Sequence, residues 1–108
     1  MEMADRKLYY HEVYWPRGAS SAKPRALAKR LPTLNGKTIA QLWDFLFRGD
    51  EVFAILEEGI RKRYPDVNFV SWKEFGCTHG PKEREVLQAL PDRFKDLRVD
   101  AVISGLGM

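Results

Sequence analysis

The sequence predicts an α/β protein built on a small parallel sheet. Three observations carry that reading. Short β-branched apolar runs alternate with longer amphipathic stretches. Glycine and proline stand between them. The best amphipathic stretch opens on acids and closes on bases, as a helix dipole favours.

The first thirty residues differ from the rest. Leu8-Tyr9-Tyr10-His11-Glu12-Val13-Tyr14-Trp15 is aromatic and β-branched and stops at Pro16, which suits a short edge strand or an extended arm. Arg17 to Pro32 contains Gly18, Ser20, Ser21 and Pro24 and reads as a connector, with one helical turn expected around Arg25 to Arg30. An arm this aromatic is expected to pack on its own domain or on a partner. Residues 1–30 are therefore read as arm and linker, and 31–108 as an α/β half-domain.

Asn35-Gly36 is a turn signal, and Lys37 to Trp43 follows as the first strand. Asp44 to Gly49 is a loop. From Asp50 to Tyr64, apolar residues at Val52, Phe53, Leu56, Ile60 and Tyr64 mark a helical stripe. Asp50 and Glu51 open it, Arg61 to Arg63 close it, and Pro65 stops it. Val67 to Trp72 is the second strand and Lys73 to Gly80 a loop. Pro81 suits the first position of a second helix. That helix runs to about Leu90, and Pro91 kinks or restarts it through Phe94 and Leu97. Ala101 to Ser104 is the third strand, and Gly105-Leu106-Gly107 turns out of it.

Strands separated by helices imply right-handed crossovers and a Rossmann-like, three-layer β-α-β-α-β unit. The expected strand order is 2-1-3, with one helix on each face. A sheet this small, with its third strand at an edge, reads as incomplete. In such sheets ligands bind beyond the carboxyl ends of the strands, where the winding reverses. Asp44 to Gly49 and Gly105 to Met108 meet there, and the loop carrying Cys77 and His79 lies alongside.

Bulk properties narrow the function classes. The chain has 108 residues, 44% hydrophobic and 31% charged, which suits one globular domain. No apolar run approaches the roughly 18 residues that a membrane span needs. The N-terminus lacks the apolar core of a secretory signal, so a cytoplasmic location is expected. A lone cysteine forms no internal disulfide framework. The net charge of +3 is mild, and acids are interleaved with the basic clusters, which argues against nucleic-acid binding.

Several residues are candidates for chemistry. Arg48, just before a helix N-terminus, suits a small anionic substrate, or else pairs with a nearby acid. Phe45, Leu46 and Phe47 are too apolar for an ordinary loop and form a ligand wall or fold onto the core. Cys77 and His79 are the weak catalytic candidates, as a thiol and an imidazole two residues apart. Two such ligands fall short of a zinc site, so no metal is expected. Gly105-Leu106-Gly107 matches half of a dinucleotide fingerprint but lacks its third glycine and its helix, so no cofactor is expected either. The expected substrate-binding set is Asp44, Arg48, Gly49, Thr78, His79, Gly105 and Gly107.

The strings Leu42-Trp43-Asp44-Phe45-Leu46-Phe47-Arg48-Gly49-Asp50-Glu51, Phe75-Gly76-Cys77-Thr78-His79-Gly80 and Asp100-Ala101-Val102-Ile103-Ser104-Gly105-Leu106-Gly107 resemble the UGSC-motif (seleno)protein family over about Leu31 to Met108. The resemblance implies that the glycine turn leads into selenocysteine (or cysteine)-Gly-Ser-Cys-Thr, then into a further α/β segment. It also implies kinship with the selenoprotein B component of glycine, sarcosine and betaine reductases. The motif is missing from this chain. A selenocysteine codon, UGA, read as a stop would end the protein just before it; an excised domain or a short subunit completed by a partner would look the same. The expectation is therefore the N-terminal portion of a thiol- or selenol-dependent redox or group-transfer protein, inactive alone. The alternative is a non-enzymatic binding or assembly subunit, forming homo- or hetero-oligomers through its aromatic arm and open sheet edge.

Overall fold

The structure, a computed structural model, describes residues 10–107. Five elements follow in chain order: β1 (Thr38–Trp43), α1 (Gly49–Arg63), β2 (Asn68–Val70), α2 (Glu83–Asp96) and β3 (Ala101–Gly105). The sheet is parallel, in the order β2-β1-β3. The predicted α/β class and strand order are therefore what the chain adopts.

β1 is central because its side chains are apolar or buried toward both faces. Ile39, Ala40, Gln41 and Leu42 are all buried, the pattern of a parallel strand covered on both sides. Alternation along the strand sorts the layers. Ala40 and Leu42 point into the larger core, formed with Phe75 and Leu90 and bordered by Val70, Phe94, Leu97 and Val99. Ile39 and Gln41 point to the other face, where α1 delivers Phe53, buried to 3% exposure. Gln41 is an amide inside this layer, and its Nε2 donates to Glu57 Oε1 of α1 at 2.7 Å. A buried amide needs such a partner, and a charged acceptor makes a strong one.

α1 forms where the stripe predicted it, but uses less of that stripe. Phe53 is buried, whereas Val52 is 42% exposed and Leu56 and Ile55 also face outward. The reason is the width of the sheet: three strands offer α1 little area to cover.

β2 is shorter than the expected Val67 to Trp72. It leaves β1 after Val70, because the Ser71 side chain accepts from Lys73 N–H at 3.3 Å and starts a one-turn 3-10 helix at Trp72–Glu74. The chain then returns to β1. Trp43 and Cys77 form an isolated parallel bridge, and Thr78 N–H donates to the Trp43 carbonyl at 3.1 Å.

α2 starts at Glu83 rather than Pro81. Gly80 takes φ +121° and accepts Glu83 N–H at 3.1 Å, so Pro81 and Lys82 belong to a turn. The expected restart at Pro91 does not occur, and the helix is assigned without a break from Glu83 to Asp96. Pro91 is on the exposed side, where the one carbonyl it leaves without an N–H partner stays close to water.

The N-terminal expectations fare differently. Residues 10–32 hold no helix or strand, so the edge strand is absent there; Leu8 and Tyr9 lie outside the described residues. The turn around Arg25 to Arg30 is also absent. A helical turn that short needs tertiary packing, and Leu27 is almost fully exposed. The arm does not pack on its own domain: Tyr14 is 100% exposed and Tyr10, Val13 and Trp15 are nearly so. β3 is likewise bare on the face it shares with Ala40 and Leu42, where Val102, Ser104 and Leu106 are exposed.

Phe53 is the one large α1 side chain fully buried against the sheet. Phe53→Ala is expected to cost about 3–5 kcal/mol, and Leu56→Ala much less, in urea unfolding followed by circular dichroism.

Candidate functional site

The carboxyl ends of β1 and β3 and the loop after β2 converge on Asp44, the residue that follows β1. Asp44 is only 4% exposed. Its Oδ1 accepts Leu46 N–H at 3.1 Å and its Oδ2 accepts Gly107 N–H at 2.8 Å. Its own N–H donates to the Gly105 carbonyl at 3.3 Å. Its carbonyl accepts the Cys77 thiol at 3.2 Å. One residue thus ties together all three loops of the predicted switch point.

Burial works to raise the Asp44 pKa. The backbone N–H groups of Gly107 and Leu46, with the charge of His79, outweigh it and hold the carboxyl below its ordinary value of 3.8. The group is therefore an anion at neutral pH.

The aromatic residues form a layer around this point. Trp43 lies 4.6 Å from Phe45 and 4.8 Å from Trp72 between ring centroids, and Phe45 lies 5.5 Å from Trp72. Phe45 reaches this cluster with φ +65°, in the left-handed region that bulky residues avoid. The Asp44–Leu46 hydrogen bond spans it, an Asx turn of the kind that stabilises such a bend. Phe47 meets Trp43 edge-on at 6.2 Å between ring centroids and lies against the glycine turn. A Cβ on Gly105 would stand 2.8 Å from Phe47 Cζ, and one on Gly107 would stand 2.8 Å from Phe47 Cδ1. The two glycines are required by the Phe47 ring. Of the alternatives for the apolar loop, Phe47 folds inward, while Phe45 and Leu46 keep about half their surface exposed.

The remaining expected residues fall as follows. Gly49 opens α1 beneath Trp43, where a Cβ would lie 2.5 Å from the indole Nε1. Arg48 is exposed and pairs with Glu51 at 2.7 Å, so a nearby acid does engage it. Thr78 is bridged to β1 through its backbone, and its Oγ1 is buried without a partner, as is Trp43 Nε1. His79 is 61% exposed, with Nδ1 3.8 Å from Glu83 Oε2. The Cys77 thiol donates to the carbonyls of Asp44 and His79 and accepts His79 N–H at 3.4 Å. Its partners are backbone groups, so it braces the loop. An open hollow of about 370 Å³ borders it, lined mainly by Gly76, His79, Pro81, Lys82 and Val86. No group of three or more potential metal ligands occurs among the described residues.

The structure thus brings together Asp44, Cys77, Thr78, Gly105 and Gly107, and leaves Arg48 and His79 at the rim. The central place of Asp44 and the Trp43–Phe45–Trp72 cluster were not read from the sequence. An aspartate directly after a buried strand is a signal for the first, through its Asx-turn preference. The second depends on the 3-10 turn that lifts Trp72 out of β2.

A model of the UGSC family matches residues 12–108. No curated protein and no solved structure matches the chain.

Two predictions follow the geometry. Gly49→Ala should destabilise by about 1–3 kcal/mol through overpacking against Trp43. Gly59→Ala, in the same helix with open space at its Cβ, should stabilise by about 0.5–1 kcal/mol. Opposite shifts in the urea midpoint would check the pair. The second concerns acid. Because the Asp44 pKa is lowered on folding, its stabilisation is complete above 3.8 and is lost as pH falls through the lower folded value. The stability gap between wild type and Asp44→Asn should be widest near pH 7 and shrink below 3.8, measured as urea midpoints across pH.

Proposed function

The chain belongs to the UGSC family, and from that premise we propose that it forms one wall of a thiol- or selenol-dependent redox or group-transfer site for a small substrate. In this reading the protein works in the cytoplasm. The nucleophile lies just past Met108, at the end of the Gly105–Gly107 turn, and this chain is inactive without it.

The observation that carries the reading is the 2.8 Å bond from Gly107 N–H to Asp44 Oδ2. It anchors the glycine turn at the crevice where doubly wound sheets bind ligands. A chalcogen carried by that turn would be aimed by a fixed backbone rather than by a loose tail. A deprotonated chalcogen would form a bond to the electrophilic atom of the substrate, and the leaving group would depart with its bonding pair. His79, exposed at the rim, would orient the substrate or place a proton on the leaving group. Arg48 would attract an anionic group by exchanging its Glu51 partner for it. Gly49, Thr78, Gly105 and Gly107 would contact the substrate or shape the wall around it, and Asp44 would shape that wall from behind.

A second reading is favoured by the exposed arm and the bare β3 face: a binding or assembly subunit that associates through those surfaces. The two are separable. Extending the chain past Met108 with Cys-Gly-Ser-Cys adds two cysteines, and iodoacetamide should alkylate the first of them at pH 6 at least about tenfold faster than in a short peptide of the same motif. The unextended chain should show only slow labelling of Cys77. Equal rates for extended chain and peptide would rule out the redox reading. A stable oligomer of the unextended chain by light scattering would then support assembly.

A further inference from the structure

We propose that Asp44 is a positioning residue for the site, fixing the β3 turn against the loop after β1, and that it makes no contact with substrate. The proposal rests on the reading that the glycine turn carries the nucleophile. Three observations support it.

The first is access. Asp44 is 4% exposed, and each carboxylate oxygen already faces a backbone N–H. At that exposure almost none of its surface is left for a ligand to touch.

The second is independent of the carboxylate. Phe47, on the same loop, seats its ring on Gly105 and Gly107. The loop and the turn therefore interlock twice, once through charge on N–H and once through an aromatic face on bare Cα atoms. The ring closes the lateral gap, and the hydrogen bond sets the direction of the Gly107 amide. The residue after that amide inherits the direction.

The third is strain. Phe45 sits at φ +65° between Asp44 and Leu46, which persists only where the surroundings enforce it. The Asp44 Oδ1 bond supplies that enforcement. Releasing Asp44 would free both its own loop and the turn. The titratable groups facing it are His79 and the Cys77 thiol on the loop after β2, with Glu83 of α2 behind His79. The two N–H donors come from the β1 loop and the β3 turn.

An asparagine is the informative substitute. Its Oδ1 still accepts Leu46 N–H, but its amide nitrogen would meet Gly107 N–H donor to donor. In the uniformly labelled wild-type chain, a scalar coupling across the hydrogen bond should join Gly107 15N to Asp44 13Cγ. The Asn68 N–H to Lys37 carbonyl bond, also 2.8 Å, is the internal control. In Asp44→Asn, Gly107 amide hydrogen exchange should rise at least about tenfold while Ala40 exchange stays unchanged. A missing coupling beside a visible control overturns the proposal. So does Gly107 exchange within twofold of wild type in Asp44→Asn. If that variant does not fold, the wild-type coupling decides. In the chain extended with Cys-Gly-Ser-Cys, Asp44→Asn should raise amide hydrogen exchange at the first added cysteine at least about fivefold; unchanged exchange there also overturns it. Failure of the redox reading has a different appearance: wild-type extended chain no faster than peptide, with the coupling intact.

Discussion

A parallel strand satisfies its backbone only by having neighbours on both sides, and in this sheet β1 is the strand that has them. β2 holds it through Thr38 to Ala40, and β3 through Ile39 to Trp43. Its side chains meet the same condition, since Ile39 to Leu42 are buried toward both layers. Each helix has a face to cover only because β1 supplies it. The β1–β3 ladder also runs to the last residue of β1, whereas the β2 ladder stops at Ala40. The end of β1 is therefore steered by β3 and by the returning Cys77 bridge, and that end is where Asp44 begins.

The site follows from this asymmetry. With β2 departing early, the space beside Trp43 is filled by rings rather than by a strand. Trp72 moves in from the 3-10 turn and Phe45 from the β1 loop. Trp43 in turn needs Gly49 beneath it. The start of α1, the bend at Phe45 and the return of the Cys77 loop are consequences of one short strand. The thin packing of α1 is another. Phe53 and the Gln41–Glu57 bond tie it to the sheet, while Val52 and Ile55 face outward.

Much of this was legible in the sequence, and the rest has identifiable reasons. The central strand, both helices and the 2-1-3 order follow from periodicity, Gly and Pro punctuation and crossover rules. The extent of β2 was not legible, because Phe69, Val70 and Trp72 all favour strands and only the Ser71 side chain diverts them. The restart expected at Pro91 misled because breaking a helix is its average effect, and an exposed position is the exception. For the arm, aromatic composition implies burial without saying whether its own domain or a partner supplies the covering surface. At the site, the converging loops were readable from topology. The role of Asp44 was not, because a carboxylate among site residues reads first as a ligand contact. Its two backbone donors are 2 and 63 residues away, and only the nearer one is a local pattern.

A buried carboxylate at this point also constrains the chemistry proposed for it. Asparagine would leave its own amide donors to satisfy, whereas aspartate accepts both N–H groups and needs no further partner. That choice fixes a negative charge beside the glycine turn. A nearby anion raises the pKa of a thiol and so opposes formation of the thiolate. The usual remedies are a cation or a helix N-terminus. The start of α1 offers little, because Asp50 and Glu51 lie in its first turn and Arg48 is engaged by Glu51. The His79 ring stands at the rim, 3.8 Å from the Glu83 carboxylate. A nucleophile carried on this turn must therefore draw its activation from backbone N–H groups of the motif that follows, which an anchored turn would order and a free peptide would not, or be intrinsically more acidic than an ordinary thiol. A selenol would meet the second condition.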